Sequence, residues 1–208
     1  MWTFAPPRGE VTAAHLQLVR GREVTVWAAS IDELCRAEFA GRTPKTVGED
    51  GQVQIEYPRF GFPGMGGGGS AVGAEILLNS ALPWTLTFVG GVGDSIIDLH
   101  AVAIVEMTIT GGASNVRLRL PAPRGAVRVR VESGVSELTL LRPADVPAVL
   151  SVAGGASRLT FDGERYGAIG GETRLESPGA DRSPERYEID VRGGATDLTI
   201  VGEGKWQT

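Results

Sequence analysis

A glycine-rich run at residues 60–73, FGFPGMGGGGSAVG, is the first stretch whose residue types and spacing could do chemistry. From Gly64 it reads G-x-G-x-x-G, the register of a dinucleotide-binding loop, in which the backbone approaches a pyrophosphate at a helix N-terminus. Pro63 directly precedes the first glycine of this register, however, and the apolar segment after the glycines does not suit that helix. A phosphate loop would also need lysine where the chain has Ser70. We therefore predict a surface loop between strands and no bound nucleotide.

Metal and hydrolase sites are not predicted either. His15 and His100 are the two histidines, and neither has a partner at metal-ligand spacing. The sequence has no G-x-S-x-G elbow, and the single cysteine, Cys35, falls on the apolar face of a short predicted helix, where a buried structural thiol is expected. The sequence thus predicts no catalytic residue, no metal and no cofactor.

The segment GGVGDS at residues 90–95 is similar to calcium-binding β-roll repeats. Those repeats need an aspartate at one fixed place in several consecutive copies. Here the equivalent position varies between copies and includes an arginine, which would repel a cation, so we predict no calcium site. The residues in this column are Asp94, Asn115, Glu137, Arg158 and Asp197.

Arginine alternates with apolar residues in VRLRLPAPRGAVRVRV, residues 116–131. If the apolar residues face a core, period-2 alternation directs the arginines outward. Stacked strands would then gather guanidinium groups on one face, where they suit the phosphates or carboxylates of an anionic polymer or an acidic protein partner. The alternative is a solvated face balanced by nearby acidic residues. The predicted anionic-partner face consists of Arg117, Arg119, Arg124, Arg128, Arg130 and Arg142.

The elements that must position these side chains form a repeat. Each copy has two alternating strand segments joined by a small-residue corner, as in GGASNVRLRL and GGATDLTIV. Successive corners lie 21, 22, 21 and 39 residues apart, and the last gap holds one period plus an insertion at 163–186. Glycine suits the corner because the backbone must turn sharply there, often through positive φ. The corner glycines are Gly91, Gly112, Gly134, Gly155 and Gly194.

Apolar residues keep register with these glycines, with polar residues between them. One-sided strands at a fixed period cannot bury their apolar faces alone, but successive coils stacked on one another can. We therefore predict an all-β parallel solenoid with coils of about 21 residues. A Greek-key sandwich is the structural alternative, since it also gives alternation and glycine turns.

The N-terminal region repeats less clearly. We predict one domain over residues 1–208, with irregular coils at 1–80, a glycine-rich loop at 61–70 and regular repeats at 81–202. In SIDELCRAEFAG, Ser30 and Glu33 have the spacing of a capping box, and Gly41 can end a helix. This segment is the one short helix predicted.

Composition limits the functional classes. The net charge of −5 disfavours general attraction to nucleic acid, and one cysteine cannot form an internal disulfide. No signal peptide is visible, and the longest apolar stretches are too short to span a bilayer. The sequence therefore predicts a cytoplasmic protein with neither nucleic acid nor a membrane span.

The MWTF opening, the repeated GGAS corners and the segment FDGERYGAIGGETRLESPG resemble a group of bacterial adhesin-like proteins called toastrack domains. These are related in pattern to the cell-wall-active antibiotic response proteins. The resemblance covers nearly the whole chain. It implies stacked β-coils and a non-enzymatic role tied to cell-envelope stress, and it supplies no catalytic motif.

Three functional hypotheses follow. The first is a non-catalytic scaffold or binding module that presents a regular outer face to a partner. The second is a structural protein that self-assembles, because the ends of a solenoid expose unpaired strand edges; polar residues in the last strand suggest a cap. The third is an enzyme that acts on glycans through acidic residues on the solenoid face.

Overall fold

The computed structural model describes residues 2–4, 11–41, 43–58 and 73–204, so the predicted loop at 61–70 lies outside the described residues. Within these ranges the chain forms β-strands and no α-helix. The strands are β1 (Trp2–Phe4), β2 (Ala14–Val19), β3 (Val24–Ala29), β4 (Cys35–Ala40), β5 (Lys45–Glu49), β6 (Gln52–Glu56), β7 (Gly73–Asn79), β8 (Trp84–Val89), β9 (Val92–Asp98), β10 (Ile104–Ile109), β11 (Ala113–Arg119), β12 (Ala126–Val131), β13 (Val135–Arg142), β14 (Ala148–Val152), β15 (Ala156–Phe161), β16 (Glu164–Ile169), β17 (Thr173–Glu176), β18 (Arg186–Val191) and β19 (Ala195–Gly202).

Two sheets share one hydrophobic core. Sheet A has ten strands in the order β1-β4-β7-β3-β9-β11-β13-β19-β15-β16, and sheet B has nine in the order β17-β14-β18-β12-β10-β8-β2-β6-β5. Each coil contributes one strand to sheet B and the next to sheet A, and equivalent strands of neighbouring coils are parallel. This arrangement is that of a parallel β-solenoid, so the predicted all-β class and stacked coils are confirmed, and the Greek-key sandwich is not formed.

The fixed period of the repeat reflects the stacking of inward side chains. Leu86 on β8 lies beside Met107 on β10, which lies beside Val129 on β12. All three are almost completely buried. Burying an aliphatic side chain of this size contributes about 1.5–3 kcal/mol relative to leaving it exposed, so a shift of one residue in any coil would be strongly unfavourable.

The coils do not stack in chain order. The last coil, β18–β19, lies between β12–β13 and β14–β15, because β18 pairs with β12 and β14 and β19 pairs with β13 and β15. The prediction that successive coils stack on one another is therefore wrong at this end. The insertion at 163–186 explains the return, since it forms β16 and β17, which run antiparallel to β15 and β14 and occupy the end of the solenoid.

The N-terminal region also adds coils to the stack. Strand β2 pairs in parallel with β8 and with β6, and β3 pairs with β7 and β9. The coil β2–β3 therefore lies inside the stack, between β8–β9 and β6–β7. Strands β4 and β5 run antiparallel to β7 and β6, and β1 adds to β4 at the edge of sheet A, so these strands close this end as β16 and β17 close the other.

The short helix predicted after Ser30 is wrong. Residues Cys35–Ala40 form β4, which pairs with β7 and with β1. Tertiary pairing overrides the local helical pattern, because alternation places Cys35 and Ala37 in the core. The capping-box residue Glu33 binds the Arg36 guanidinium at 2.9 Å instead of a helix N-terminus. The expected burial of the Cys35 thiol is observed, and burial raises its pKa to about 12.

Close backbone approach is the reason for glycine at the corners. A Cβ atom on Gly112 would lie 3.0 Å from the carbonyl oxygen of Gly134, and one on Gly134 would lie 3.0 Å from that of Gly194. Positive φ occurs at two of the five corner glycines, Gly91 and Gly155, and also throughout the column of residues compared above with calcium-binding repeats, at 51–57°. A non-glycine residue in this region is uncommon, although Asn and Asp tolerate it, and here it occurs at the same place in five coils. The five residues are Asp94, Asn115, Glu137, Arg158 and Asp197.

Candidate binding groove

The six predicted arginines do not share a face. Arg117 and Arg119 lie on β11 in sheet A, whereas Arg128 and Arg130 lie on β12 in sheet B. The loop between β11 and β12 carries the chain from sheet A to sheet B. The outward side chains of the two strands therefore lie on the outer faces of different sheets. Arg124 lies in that loop and lines a separate cavity. The prediction of one six-arginine face is therefore wrong.

Arg142 is buried rather than exposed. Only 3% of its side chain is accessible, and its guanidinium forms an ion pair with Asp162 and donates a hydrogen bond to the carbonyl of Val146. The Ser177 hydroxyl lies 3.0 Å from Arg142 Nη2 and donates to Asp162 at 2.6 Å. Burial lowers the pKa of Arg142 from its ordinary value, and Asp162 opposes that shift. This cluster joins the segments that follow β13, β15 and β17.

Arg119 also has acidic partners. It forms an ion pair with Glu203, which raises the pKa of the guanidinium, and lies 3.4 Å from Asp98. Burial alone would raise the pKa of Asp98, but hydrogen bonds from His100, whose Nδ1 lies at 2.6 Å, and the charge of Arg119 bring it below its ordinary value. Arg117 pairs with Ile96 and Thr139 in the parallel register, so neither arginine on this part of sheet A is surrounded by other arginines.

A groove crosses the outer face of sheet B near the end closed by β17. Its volume is about 620 Å³, and β12, β18, β14 and β17 contribute to its floor. Here the arginines and carboxylates alternate across strands, since Arg128 lies opposite Glu188 and Arg130 opposite Asp190 in the parallel register. Of the predicted arginines, the structure brings Arg128 and Arg130 to this groove.

Ion pairs hold the groove side chains in place. Glu188 accepts from Arg186 at 2.7 Å and from Arg128 at 3.2 Å, so each of its two oxygens has a guanidinium partner. These contacts, with Arg186 the stronger, lower the pKa of Glu188 although partial burial opposes the shift. On the neighbouring edge strand, Arg174 binds Glu176 at 2.8 Å.

Arg130 is held less tightly than its neighbours. Its Nε atom lies 3.7 Å from Glu132 and 3.7 Å from Asp190, which is beyond hydrogen-bond distance. That buried Nε makes no hydrogen bond within the described part of the chain. The side chain is therefore oriented by two carboxylates while keeping a donor unused.

A loop from the insertion forms one side of the groove. Residues 177–185 turn back on themselves, with Ser183 N donating to the carbonyl of Gly179 at 3.1 Å. Ala180 of this loop is 1% exposed and lines the same groove as Val149 on β14. The Arg142 cluster holds the start of this loop through Ser177, so a buried ion pair supports the side of the groove.

Metal-binding geometry is not formed by the described residues. Within them no group of three or more His, Cys, Asp or Glu side chains could hold an ion. His15 Nε2 lies 3.0 Å from Thr87 Oγ1, and His100 contacts Asp98. In the positive-φ column, Asp94 binds Arg22 at 3.3 Å and Asn115 at 2.9 Å.

Most of this groove was not predicted from the sequence. Arg174 comes from the insertion, and Arg186, Glu188 and Asp190 come from the last coil. The alternation in RYEIDV is a signal that could have placed Glu188 and Asp190 on the outer face. Only the strand order, which places β18 beside β12, shows that they meet Arg128 and Arg130.

The family is shown by the sequence match. Residues 16–141 match the family model described as the N-terminal domain of toast_rack, DUF2154. The chain belongs to the toast_rack family. A search of the curated proteins found no match for this toast_rack protein. The resemblance to toastrack domains stated from the repeated corners is thereby confirmed.

A solved structure has the same fold as this toast_rack protein. It is described as a "putative cell adhesion protein" from Clostridium sporogenes, with 15% sequence identity and a TM-score of 0.67. The match covers 96% of this chain and 97% of that chain. At this identity the likeness shows the fold alone. In the described part of the toast_rack chain no helix could cross a membrane.

Proposed function

We propose that this toast_rack protein is a non-catalytic binding module and that the groove on sheet B is its contact surface. The observation that carries the proposal is the interleaving of Arg128 and Arg130 with Glu188 and Asp190 from a coil distant in sequence. A rigid sheet fixes these side chains at regular intervals, so a partner meets a preorganised set of donors and acceptors. The solved structure that shares the fold is described as a "putative cell adhesion protein", and a contact role agrees with that description.

The lowered pKa of the Glu188 carboxyl in the groove suits a binding role better than a catalytic one. A general acid for glycan cleavage needs a carboxyl group whose pKa is raised, so that it carries a proton near neutral pH. The pKa of Glu188 is lowered by Arg186 and Arg128 instead. We therefore favour contact over the third hypothesis, an acidic glycan-active enzyme.

We assign the partner to the cell envelope, following the envelope-stress role that the family resemblance implies. The test is co-sedimentation of the purified protein with envelope fractions from the source organism. We expect wild type to co-sediment and the double variant Arg128→Glu, Arg130→Glu to stay in the supernatant. The variant shifts the net charge by −4 beside Glu188 and Asp190 and removes both guanidinium donors, so the preorganised set of donors and acceptors is lost.

A matched control uses the other sheet. Arg117 is an exposed arginine on β11 in sheet A, so Arg117→Glu, Arg165→Glu makes the same charge change away from the groove. We expect this variant to co-sediment like wild type. Equal binding by both double variants would reject the groove as the contact surface, and absence of binding by wild type would reject the envelope partner. Fractionation of the producing cells tests the cytoplasmic location, which stays a prediction.

A further inference from the structure

We infer that the groove on sheet B binds a neutral, hydroxyl-rich oligosaccharide. This inference rests on the proposed binding function and names the class of ligand. It differs from the anionic partner predicted from the arginines alone, because the structure adds carboxylates to the same surface.

The charge balance of the groove disfavours a charged polymer. Four arginines line it together with five acidic residues, so neither sign dominates. The Arg128 guanidinium and the Glu188 carboxylate are 3.2 Å apart. An anionic ligand group beside Arg128 would therefore be repelled by Glu188, and a cationic group beside Glu188 would be repelled by Arg128. Attraction and repulsion nearly cancel at such a site. The lining residues that carry charge are Arg128, Arg130, Arg174, Arg186, Glu172, Glu176, Asp181, Glu188 and Asp190.

A hydroxyl group fits paired donors and acceptors, since it can donate to a carboxylate and accept from a guanidinium at once. Along one line across the strands, Thr108, Arg130, Asp190 and Ser151 are direct neighbours in the parallel register. Their spacing is that of adjacent strands, about 4.8 Å. Several adjacent hydroxyls of one ligand can therefore be met by this line of side chains.

Arg130 supplies the free donor in that line. Its Nε is 3.7 Å from each flanking carboxylate, so neither saturates it. Ser151, which lines the groove, adds a hydroxyl that can donate or accept, and Thr108 on β10 continues the line beyond the lining residues. A ligand hydroxyl beside Arg130 would accept from the terminal nitrogens of its guanidinium, because the buried Nε is out of reach of a ligand and neither carboxylate lies within hydrogen-bond distance.

The size of the groove agrees with a short oligosaccharide. Its volume, about 620 Å³, is within the usual range for small-ligand sites, and the loop at 177–185 borders it on one side. Charged and polar side chains dominate the lining, which makes an apolar peptide a poor occupant.

The experiment is calorimetric titration of the full chain with neutral oligosaccharides, with sulfated or uronic-acid oligosaccharides and with an acidic peptide. We expect at least one neutral oligosaccharide to bind and the charged probes to bind more weakly. Arg130→Gln should weaken binding by about tenfold, the effect of one lost charge-assisted hydrogen bond. Ser151→Ala should weaken it less, and Arg165→Gln on sheet A should leave it unchanged. Thermal unfolding of each variant checks that the fold is retained.

The outcomes separate the ligand from the function. Salt-dependent binding of the anionic probes, with no neutral binding, would overturn the ligand class. If no oligosaccharide binds while the envelope fraction still binds through Arg128 and Arg130, the ligand class is wrong and the binding function stands. If neither binds, both proposals fail. Neutral binding that Arg130→Gln does not change would place the ligand elsewhere.

Discussion

Arg142 and Asp162 form a buried ion pair that joins two coils which are not neighbours in the stack. Arg142 ends β13 and Asp162 follows β15, and β19 lies between these strands. The side chains are 3% and 16% exposed, and Ser177 bonds to both. The ion pair therefore links the two strands on either side of β19, and Ser177 attaches the insertion to the same pair.

Removing one partner of this pair should be strongly destabilising. In the Asp162→Ala variant the guanidinium of Arg142 stays buried without its counter-ion, and breaking a buried pair in this way costs about 3–5 kcal/mol. Urea unfolding followed by circular dichroism measures the change in the free energy of unfolding. The control is Asp181→Ala, because Asp181 pairs with Arg182 at the surface, 3.6 Å apart. We expect that control to change stability by less than about 1 kcal/mol. If Asp162→Ala lowers the free energy of unfolding by less than about 1 kcal/mol, the ion pair does not stabilise the fold as a buried pair would.

The sequence alone predicted the coils but not their order. Corner glycines such as Gly112 and Gly134, and inward residues such as Leu86 and Met107, identify each coil because stacking imposes one period on all copies. Equivalent coils are also interchangeable as neighbours, since each offers the same apolar column and the same corner. Nothing local therefore distinguishes β15 from β19 as the neighbour of β13.

Engineered disulfides can test the order directly. Thr139 on β13 is paired with Thr199 on β19, and Thr160 on β15 is paired with Thr199 on its other side. Adjacent strands lie about 4.8 Å apart, within the Cα separation that a disulfide spans. Thr139→Cys with Thr199→Cys should therefore crosslink under mild oxidation. Mass spectrometry of peptides digested without reduction measures the yield.

The matched pair is Thr139→Cys with Thr160→Cys, which we expect to remain reduced because β19 separates the two strands. Coils stacked in chain order would give the opposite result for the two pairs. The native Cys35 should not interfere, since it is buried and its pKa is raised to about 12.

The candidate groove shows the same limit of sequence reasoning. Alternation correctly directed Arg128 and Arg130 outward, and the same rule applied to Glu188 and Asp190. Their contact depends on a pairing across 60 residues, which no local pattern encodes. The helix predicted over Cys35–Ala40 was wrong for a related reason, because this segment forms a strand by pairing with β7.

Glycine at the corners is required by contact between coils, and substitution should show it. A Cβ on Gly193 would lie 2.5 Å from the backbone nitrogen of Gly134, too close for any relaxed structure. We expect Gly193→Ala to destabilise the protein by about 1–3 kcal/mol, the usual cost of overpacking. Gly170→Ala is the control, because nothing lies within 4 Å of its added Cβ. Thermal unfolding of the two variants should differ clearly, and equal melting temperatures would refute the close approach.

Charged edge strands should keep the protein from stacking end to end, which was the second functional hypothesis. Strand β16 ends sheet A with Glu164 and Arg165, and β17 ends sheet B with Arg174 and Glu176. Charged side chains on an edge oppose pairing with another copy. The predicted cap in the last strand is wrong, since β19 is internal and β16 and β17 from the insertion are the end strands on this side, with β1 and β5 at the other end. We expect a constant sedimentation coefficient as concentration rises.

The double variant Glu164→Val, Arg165→Val removes the charges from the edge of sheet A and should sediment faster at high concentration. Its control is Glu106→Val, Arg117→Val, which removes one charge of each sign from β10 and β11, strands inside the two sheets, and should sediment like wild type. If wild type itself associates at high concentration, the self-assembly hypothesis is favoured and the charged edge strands do not prevent stacking.

Acid should destabilise the protein in part through Glu188. Arg186 and Arg128 lower the pKa of this carboxyl below its ordinary value of 4.5, so the folded state holds the charged form more strongly than the unfolded state does. The pair then contributes stability above pH 4.5, and that contribution is lost as the pH falls through the folded pKa. Glu188→Gln cannot titrate, so its free energy of unfolding should fall less steeply in this window. Urea unfolding at a series of acidic pH values measures both slopes, with Glu185→Gln as an exposed control. A slope for Glu188→Gln equal to that of wild type would mean that the two arginines do not stabilise the carboxylate.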